Sequence, residues 1–227
     1  YGIKGNEAPE LVWLYPNQRL LGQFSPWSSV IETGKESLMP QLRKISDSLY
    51  YQNLEANSAK IFQKAIDRFA LFNCNVVDVV NGKLITNQTI LVSNGTIETV
   101  GDTASVTIPA TYKRINARNK TVMPGVWDMH AHQFAGEGPR NLMNGVTSVR
   151  DLGNSLDVEI QKIKTEQGKI VGPRVAGMCG FIDFNDDMAG PCGVLINNLA
   201  EGKTAIQRYY KAGYKSIKLY SSIKPDY

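Results

Sequence analysis

The sequence predicts an α/β chain in which a helical segment and a small β-rich segment precede a run of parallel β/α units. Three observations carry that reading. Between residues 36 and 72, apolar side chains recur at three- and four-residue steps, the spacing of one helix face. Between 73 and 123, short β-branched runs end at Asn-Gly pairs, which favour tight hairpin turns. From 124 onward, apolar strands alternate with helical stretches, the pattern of a parallel sheet with covering helices.

Composition sets the outer limits. Of the 227 residues, 42% are hydrophobic and 20% charged, enough apolar material for a buried core. Net charge is +4, from 25 basic and 21 acidic residues spread along the chain without a basic stripe, so neither nucleic acid nor a membrane surface is an expected partner. No apolar run reaches the roughly 18 residues of a membrane span. Tyr1 is not a starting methionine, which reads as a chain beginning inside a longer gene product and leaves both a cytoplasmic and an exported setting open. Cys74, Cys179 and Cys192 match no zinc or disulfide spacing and read as free core or loop cysteines. The triplets starting at Asn87, Asn94 and Asn119 match glycan acceptors, but turn-forming Asn and strand-forming Thr produce such triplets by chance.

Residues 1–72 form the first zone. Its opening, Leu11-Val-Trp-Leu-Tyr15 followed by Pro16, Gly22 and Pro26, mixes apolar runs with breakers. Leu42, Ile45, Leu49, Ile61, Ala65, Ile66 and Phe69 then predict two helices, near 36–51 and 54–72, each burying one face. The zone reads as a partly helical extension without an assigned role. Residues 73–123 form the second zone. Val76-Val-Asp-Val-Val80 ends at Asn81-Gly82, and Thr89-Ile-Leu-Val92 ends at Asn94-Gly95, which predicts a small antiparallel sheet.

Residues 124–227 form the third zone, with strands expected at 126–132, 145–151, 174–179 and 215–221 and helices near 138–144, 155–167 and 201–213. Four such units make the first half of a TIM-like (β/α)8 barrel, whose complete form has eight. Half a barrel leaves an open edge and an uncovered interior, which predicts homo-oligomerisation or aggregation.

His130 and His132, the only histidines, stand as His-Ala-His at the end of the first of these strands. Residues i and i+2 of a strand share a face, so two imidazoles there can hold one divalent cation such as zinc. Alone, the motif is weak, and an ordinary core or surface pair is the more common reading. Lys218 interrupts the apolar run of the fourth strand, where an ammonium either snorkels to water or changes its charge state. Asp128 shares the histidine face one step deeper and is a candidate for orienting a ligand. Arg150 and Asp151, near the end of the second strand, are candidates for lining the pocket. The acidic segment 180–187, after the third strand, reads as a loop over the barrel mouth, either a substrate contact or a solvated turn.

The stretch Val122-Met-Pro-Gly-Val-Trp-Asp-Met-His130-Ala-His132 resembles the amidohydrolase superfamily signature, in which a Pro-Gly turn leads into the metal-binding strand. Residues 75–101 resemble that superfamily's amino-terminal sheet, part of a small β-sandwich. Gly145-Val-Thr-Ser-Val-Arg-Asp-Leu-Gly153 resembles the second strand of the imidazolonepropionase-like branch, which includes prolidase-type dipeptidases. The resemblance covers residues 73–227 and implies the amino-terminal part of such an enzyme. It implies His130, His132 and a carboxylated Lys218 as ligands of two divalent ions, expected to be zinc, in the intact site. The remaining histidine ligands and the general-base aspartate are expected beyond residue 227. The implied reaction is hydrolysis of an amide or cyclic amide, with a peptide-like or other small-molecule substrate, and the chain alone is expected to be inactive. A different class stays open, a non-catalytic scaffold or assembly protein that has kept the fold.

Overall fold

The computed structural model describes residues 2–3, 10–24, 28–61, 66–133, 136–154, 158–190 and 192–225. Pro26, Ala65, Pro191 and the first residues of the helix expected at 155–167 lie outside them. The chain forms two units, one of Tyr1–Phe62 with Val126–Tyr227, the other of Gln63–Gly125.

The first unit opens with an antiparallel sheet in the order β1-β2-β3-β4, formed by Gly2–Ile3, Glu10–Leu14, Leu20–Phe24 and Ser29–Ile31. A 3-10 turn over Glu36–Leu38 leads into one continuous helix, α1, Met39–Ile61. The two expected helices are therefore one up to Ile61. After Pro40 in the first turn no proline or glycine interrupts this segment, so nothing ends the helix near residue 52.

The buried stripe of α1 also differs from the apolar one. Ser46, Leu54 and Ser58 are buried at spacings of eight and four residues along one face, while Ile45, Leu49 and Ile61 are exposed. Polar anchoring selects this face. Trp13 Nε1 donates to Ser46 Oγ at 2.7 Å, and the Val171 amide donates to Ser58 Oγ at 3.0 Å. Leu54 packs on Ile170 beside Tyr50 and Tyr51, and Glu55 pairs with Lys164. Truncating Leu54 to alanine should destabilise the chain by about 2–3 kcal/mol. Urea titration checks this, the midpoint falling while the slope stays constant.

The same unit continues with parallel strands β10 (Val126–Ala131), β11 (Val146–Asp151), β12 (Arg174–Phe184), β13 (Val194–Ile196) and β14 (Ser216–Leu219). Helices α2 (Gly138–Met143), α3 (Val158–Glu166) and α4 (Leu199–Lys211) lie between them in sequence. Sheet order is β10-β11-β12-β13, with β14 also on β12, and every pairing is parallel. The result is a curled α/β sheet compatible with part of a TIM-like barrel. Its core gathers Val149, Val175, Met178 and Ile182 from the strands with Val158, Ala205 and Tyr209 from the helices. Asn198 caps α4, its Oδ1 accepting from the Glu201 backbone amide at 3.0 Å while its side-chain Nδ2 donates to the Glu201 carboxylate at 2.8 Å. Two features depart from the sequence reading. Strand β12 continues through Phe184, across residues expected to be a loop, and β13 is an additional short strand.

The second unit is a sheet of β5 (Arg68–Asp78), β6 (Lys83–Ser93), β7 (Thr96–Asp102), β8 (Lys113–Asn116) and β9 (Thr121–Val122). Residues 68–72, expected to be helical, are the start of β5. Their apolar spacing fits either period, and pairing with β6 along the strand prevails. The β6–β7 hairpin turns on Asn94 and Gly95, both at positive φ as a type I′ turn requires. The sheet is mixed rather than antiparallel, because β8 and β9 return parallel to β5. Cys74, Ile90 and Ala117 form its buried centre.

No helix is long and apolar enough to cross a membrane among the described residues. Cys74, Cys179 and Cys192 are free and buried.

Candidate metal centre at the end of the first parallel strand

Strand β10 brings the two histidines together. Their ring centroids lie 5.4 Å apart, with the planes tilted by 59°. His132 Nδ1 lies 2.6 Å from the Gly153 carbonyl. A carbonyl only accepts, so the proton sits on Nδ1 and Nε2 carries the lone pair that a metal uses. His130 is exposed, and its amide donates to Asp128 Oδ1 at 3.0 Å. Asp128 thus braces the backbone of the first histidine rather than its ring.

Asp151 is fully buried where β11 ends. Its Oδ2 accepts from the Gln133 amide at 2.6 Å and its Oδ1 from the Gly153 amide at 2.9 Å. It therefore ties the residue after His132 to the residue whose carbonyl orients His132. Burial raises its pKa above the ordinary carboxylate value, and the two amides, the Asn154 side chain and the charge of His132 oppose the rise. Arg150 takes no part in this tie. It is exposed, on the opposite face of β11, and its Nε donates to the Met129 carbonyl at 2.9 Å. The two neighbouring candidates are thus separated, one holding the end of the strand and the other its flank.

Lys218 stands beside Phe181 in the β12–β14 register. Its Nζ lies 5.4 Å from the Phe181 ring centre and 5.1 Å from that of Tyr220, and the two rings are 4.8 Å apart. Phe181 is 1% exposed and fits only because three neighbours are glycines. A Cβ at Gly153 would meet its ring at 2.5 Å, one at Gly190 at 2.8 Å and one at Gly193 at 2.6 Å. Gly153 therefore links the two parts of the candidate centre. Its carbonyl orients His132, and its bare Cα admits the ring that flanks Lys218. Cys192 lies nearby, its thiol pushed up to about 11 chiefly by burial and by the Asp151 charge, with Lys218 opposing.

Among the described residues, no group of three or more His, Cys, Asp or Glu gathers closely enough to hold a metal ion. The histidine pair fits two nitrogen positions of a zinc-like site, and Lys218 would contribute an oxygen only after carboxylation.

Sequence reasoning missed Asp183. It is fully buried at the end of β12, and its carboxylate accepts from the amides of Phe184 at 2.9 Å, Gly190 at 2.7 Å and Ser222 at 2.9 Å. In sequence it sits among Asp186, Asp187 and Asn185, where a solvated turn is the simpler reading. Asp186 does behave that way, its Oδ1 accepting from the Met188 amide in an exposed turn. The one available signal was position, since Asp183 directly follows the apolar run Met178-Cys-Gly-Phe-Ile182.

No family model matches the sequence, and no curated protein matches it. Solved structures do. A candidate prolidase from Bifidobacterium longum superimposes with a TM-score of 0.63 at 27% identity, over 71% of this chain and 42% of that one. The chain shares the fold of amidohydrolase-type prolidases and dipeptidases. A Xaa-Pro dipeptidase with methionine bound in its active site matches at TM-score 0.55 and 20% identity, over 67% of this chain and 46% of that one. Bottromycin amidohydrolase matches at 0.57 and 17%, over 76% and 36%. The chain thus spans less than half the length of these structures.

Proposed function

We propose that the chain carries the amino-terminal, metal-binding half of a metal-dependent amidohydrolase, corresponding to the first four units of the barrel. The proposed substrates are amides or cyclic amides, with peptide-like ones favoured. The observation that supports this most is the histidine pair ending a parallel strand, one ring fixed by the Gly153 carbonyl so that Nε2 is the ligating nitrogen. The fold shared with prolidases and dipeptidases supports the substrate class.

On this reading His130 and His132 hold a divalent ion, proposed to be zinc, and a carboxylated Lys218 joins the complete two-ion site. A divalent metal bound there supplies Lewis-acid polarisation of the scissile carbonyl and a water acidic enough to attack near neutral pH. The chain's own residues orient that chemistry. The Gly153 carbonyl fixes the His132 tautomer, Asp151 holds Gly153 and Gln133 in place, and Asp128 braces the His130 backbone. No group in this chain is assigned the proton from the attacking water, so the chain by itself is proposed to bind metal without turning over substrate.

Zinc titrated into the chain against a chromophoric chelator tests the reading. Binding is expected in the wild type, weakened by a factor of ten or more in His132→Ala and reduced in Lys218→Ala. A wild type that takes up no zinc would overturn the metal site and leave the fold as a scaffold for assembly.

A further inference from the structure

The first two parallel strands fall out of step beside the histidines. Asp128 stands opposite Val149 and Ala131 opposite Asp151, so three residue steps on β10 face two on β11. That is a β-bulge, an extra residue in one strand that interrupts the ladder and re-aims side chains. Residues in register share a face of the sheet, as do residues two apart on a regular strand. Asp128 and Ala131 therefore stand on the face of Val149 and Asp151, where Ala131 and Val149 join the core shared with the helices. His130 and His132 flank Ala131 and take the opposite face, the one that carries Arg150, with their rings 5.4 Å apart. Strict alternation would put Asp128 beside the histidines, and the bulge moves it to the other side.

The peptide group inside the bulge, Met129 to His130, is held by side chains at both ends. Its carbonyl accepts from Arg150 Nε at 2.9 Å, and its N–H donates to Asp128 Oδ1 at 3.0 Å. A peptide is planar, so holding both its oxygen and its N–H fixes the plane from which the His130 side chain departs. Arg150 reaches the bulge past Gly177, where an added Cβ would lie 3.1 Å from Arg150 Cγ.

We propose that Arg150 and Asp128 are positioning residues, a clamp on the Met129–His130 peptide that holds the bulge and so brings His130 onto the face of His132 before a metal binds. This rests on reading the histidine pair as a metal centre. The two rings are then oriented by separate means, His132 by the Gly153 carbonyl and His130 through its own main chain. Ligands already gathered on one face lose less freedom on binding than ligands that must be collected, which raises affinity. The clamp is independent of Lys218 and its charge state.

Two measurements on the chain test the clamp. The sequence has two histidines, so 13C-labelled histidine gives two imidazole signals, and His130→Gln assigns them. In the metal-free wild type, rings this close should show a nuclear Overhauser contact between their protons. Arg150→Met keeps the aliphatic stem beside Gly177 but removes the donor, and it should weaken that contact severalfold, as should Asp128→Ala. Arg150→Lys and Asp128→Asn restore a donor and an accepting oxygen, and each should recover most of the contact. The second measurement uses zinc alone against a chromophoric chelator. Arg150→Met and Asp128→Ala should each weaken binding by about tenfold to a hundredfold, and the two conservative variants by far less. Arg150 is exposed, so its variants are read first and do not depend on how well Asp128→Ala folds. A ring contact of wild-type strength in Arg150→Met overturns the clamp. A weakened contact with wild-type zinc affinity overturns its part in metal binding and leaves the histidines as ligands. A wild type that takes up no zinc overturns the metal-centre reading and the positioning role together.

Discussion

Replacing Asp183 by alanine should cost the chain about 3 kcal/mol or more. The carboxylate accepts from three backbone amides that come from separate segments, the end of β12, the loop before β13 and the chain after β14. Hydrogen bonds to a charged acceptor contribute about 1.5–3 kcal/mol each, and an amide left without a partner adds its own desolvation cost. Relief of burying a charge, and water entering the gap, offset part of that sum. Asp183→Asn should fall between wild type and alanine, because it keeps one accepting oxygen and turns an N–H2 group toward donors. Chemical denaturation reads both changes. Equal midpoints for wild type and alanine would mean that the three segments are held by something other than this carboxylate.

Gly193→Ala should be nearly as damaging, through a different cause. Gly193 has a φ of 92°, and a Cβ there would meet the Phe181 ring at 2.6 Å as well as the Phe181 carbonyl oxygen. The opposing group includes main chain of a central strand, which cannot yield cheaply. Overpacking costs about 1–3 kcal/mol, and left-handed backbone adds roughly 1–2 kcal/mol for a residue with a Cβ. Gly213 supplies the control, with a φ of 91° and nothing within 4 Å of the same added atom. Gly213→Ala should therefore show the backbone cost alone. Melting curves of the two variants side by side isolate the collision, and equal shifts would remove Phe181 as its source.

The parallel units were legible because glycine and proline punctuate them. Pro124-Gly125, Gly145, Gly172-Pro173 and Gly213 stand just ahead of strands β10, β11, β12 and β14, and the observed strands begin within a residue or two of where the sequence places them. The histidine pair was legible for a related reason, since a two-residue step on a strand fixes a common face without further information. The anchoring of α1 was not. Its buried stripe includes Ser46 and Ser58, which bury only because Trp13 and Val171 donate to them, and no local period encodes such distant donors. Asp183 was hidden likewise, because the amides of Gly190 and of Ser222, the latter 39 residues away, help turn an apparent solvent-facing acid into a buried one. The surroundings of Lys218 depend on strand register, which its own segment does not specify.

Asp151 and Asp183 divide the mouth of the parallel sheet into two separately fastened pieces, one carrying His132 and the other following Lys218. If each carboxylate governs its own piece more than the shared packing on Phe181 does, the amide hydrogens of Gln133 and Gly153 should exchange with solvent as one class and those of Gly190 and Ser222 as another. An ion held jointly by the histidines and the lysine requires both pieces closed at once. On the proposed reading, loading the centre would merge two exchange classes into one, so that the metal would act on the chain as a latch across both fastenings.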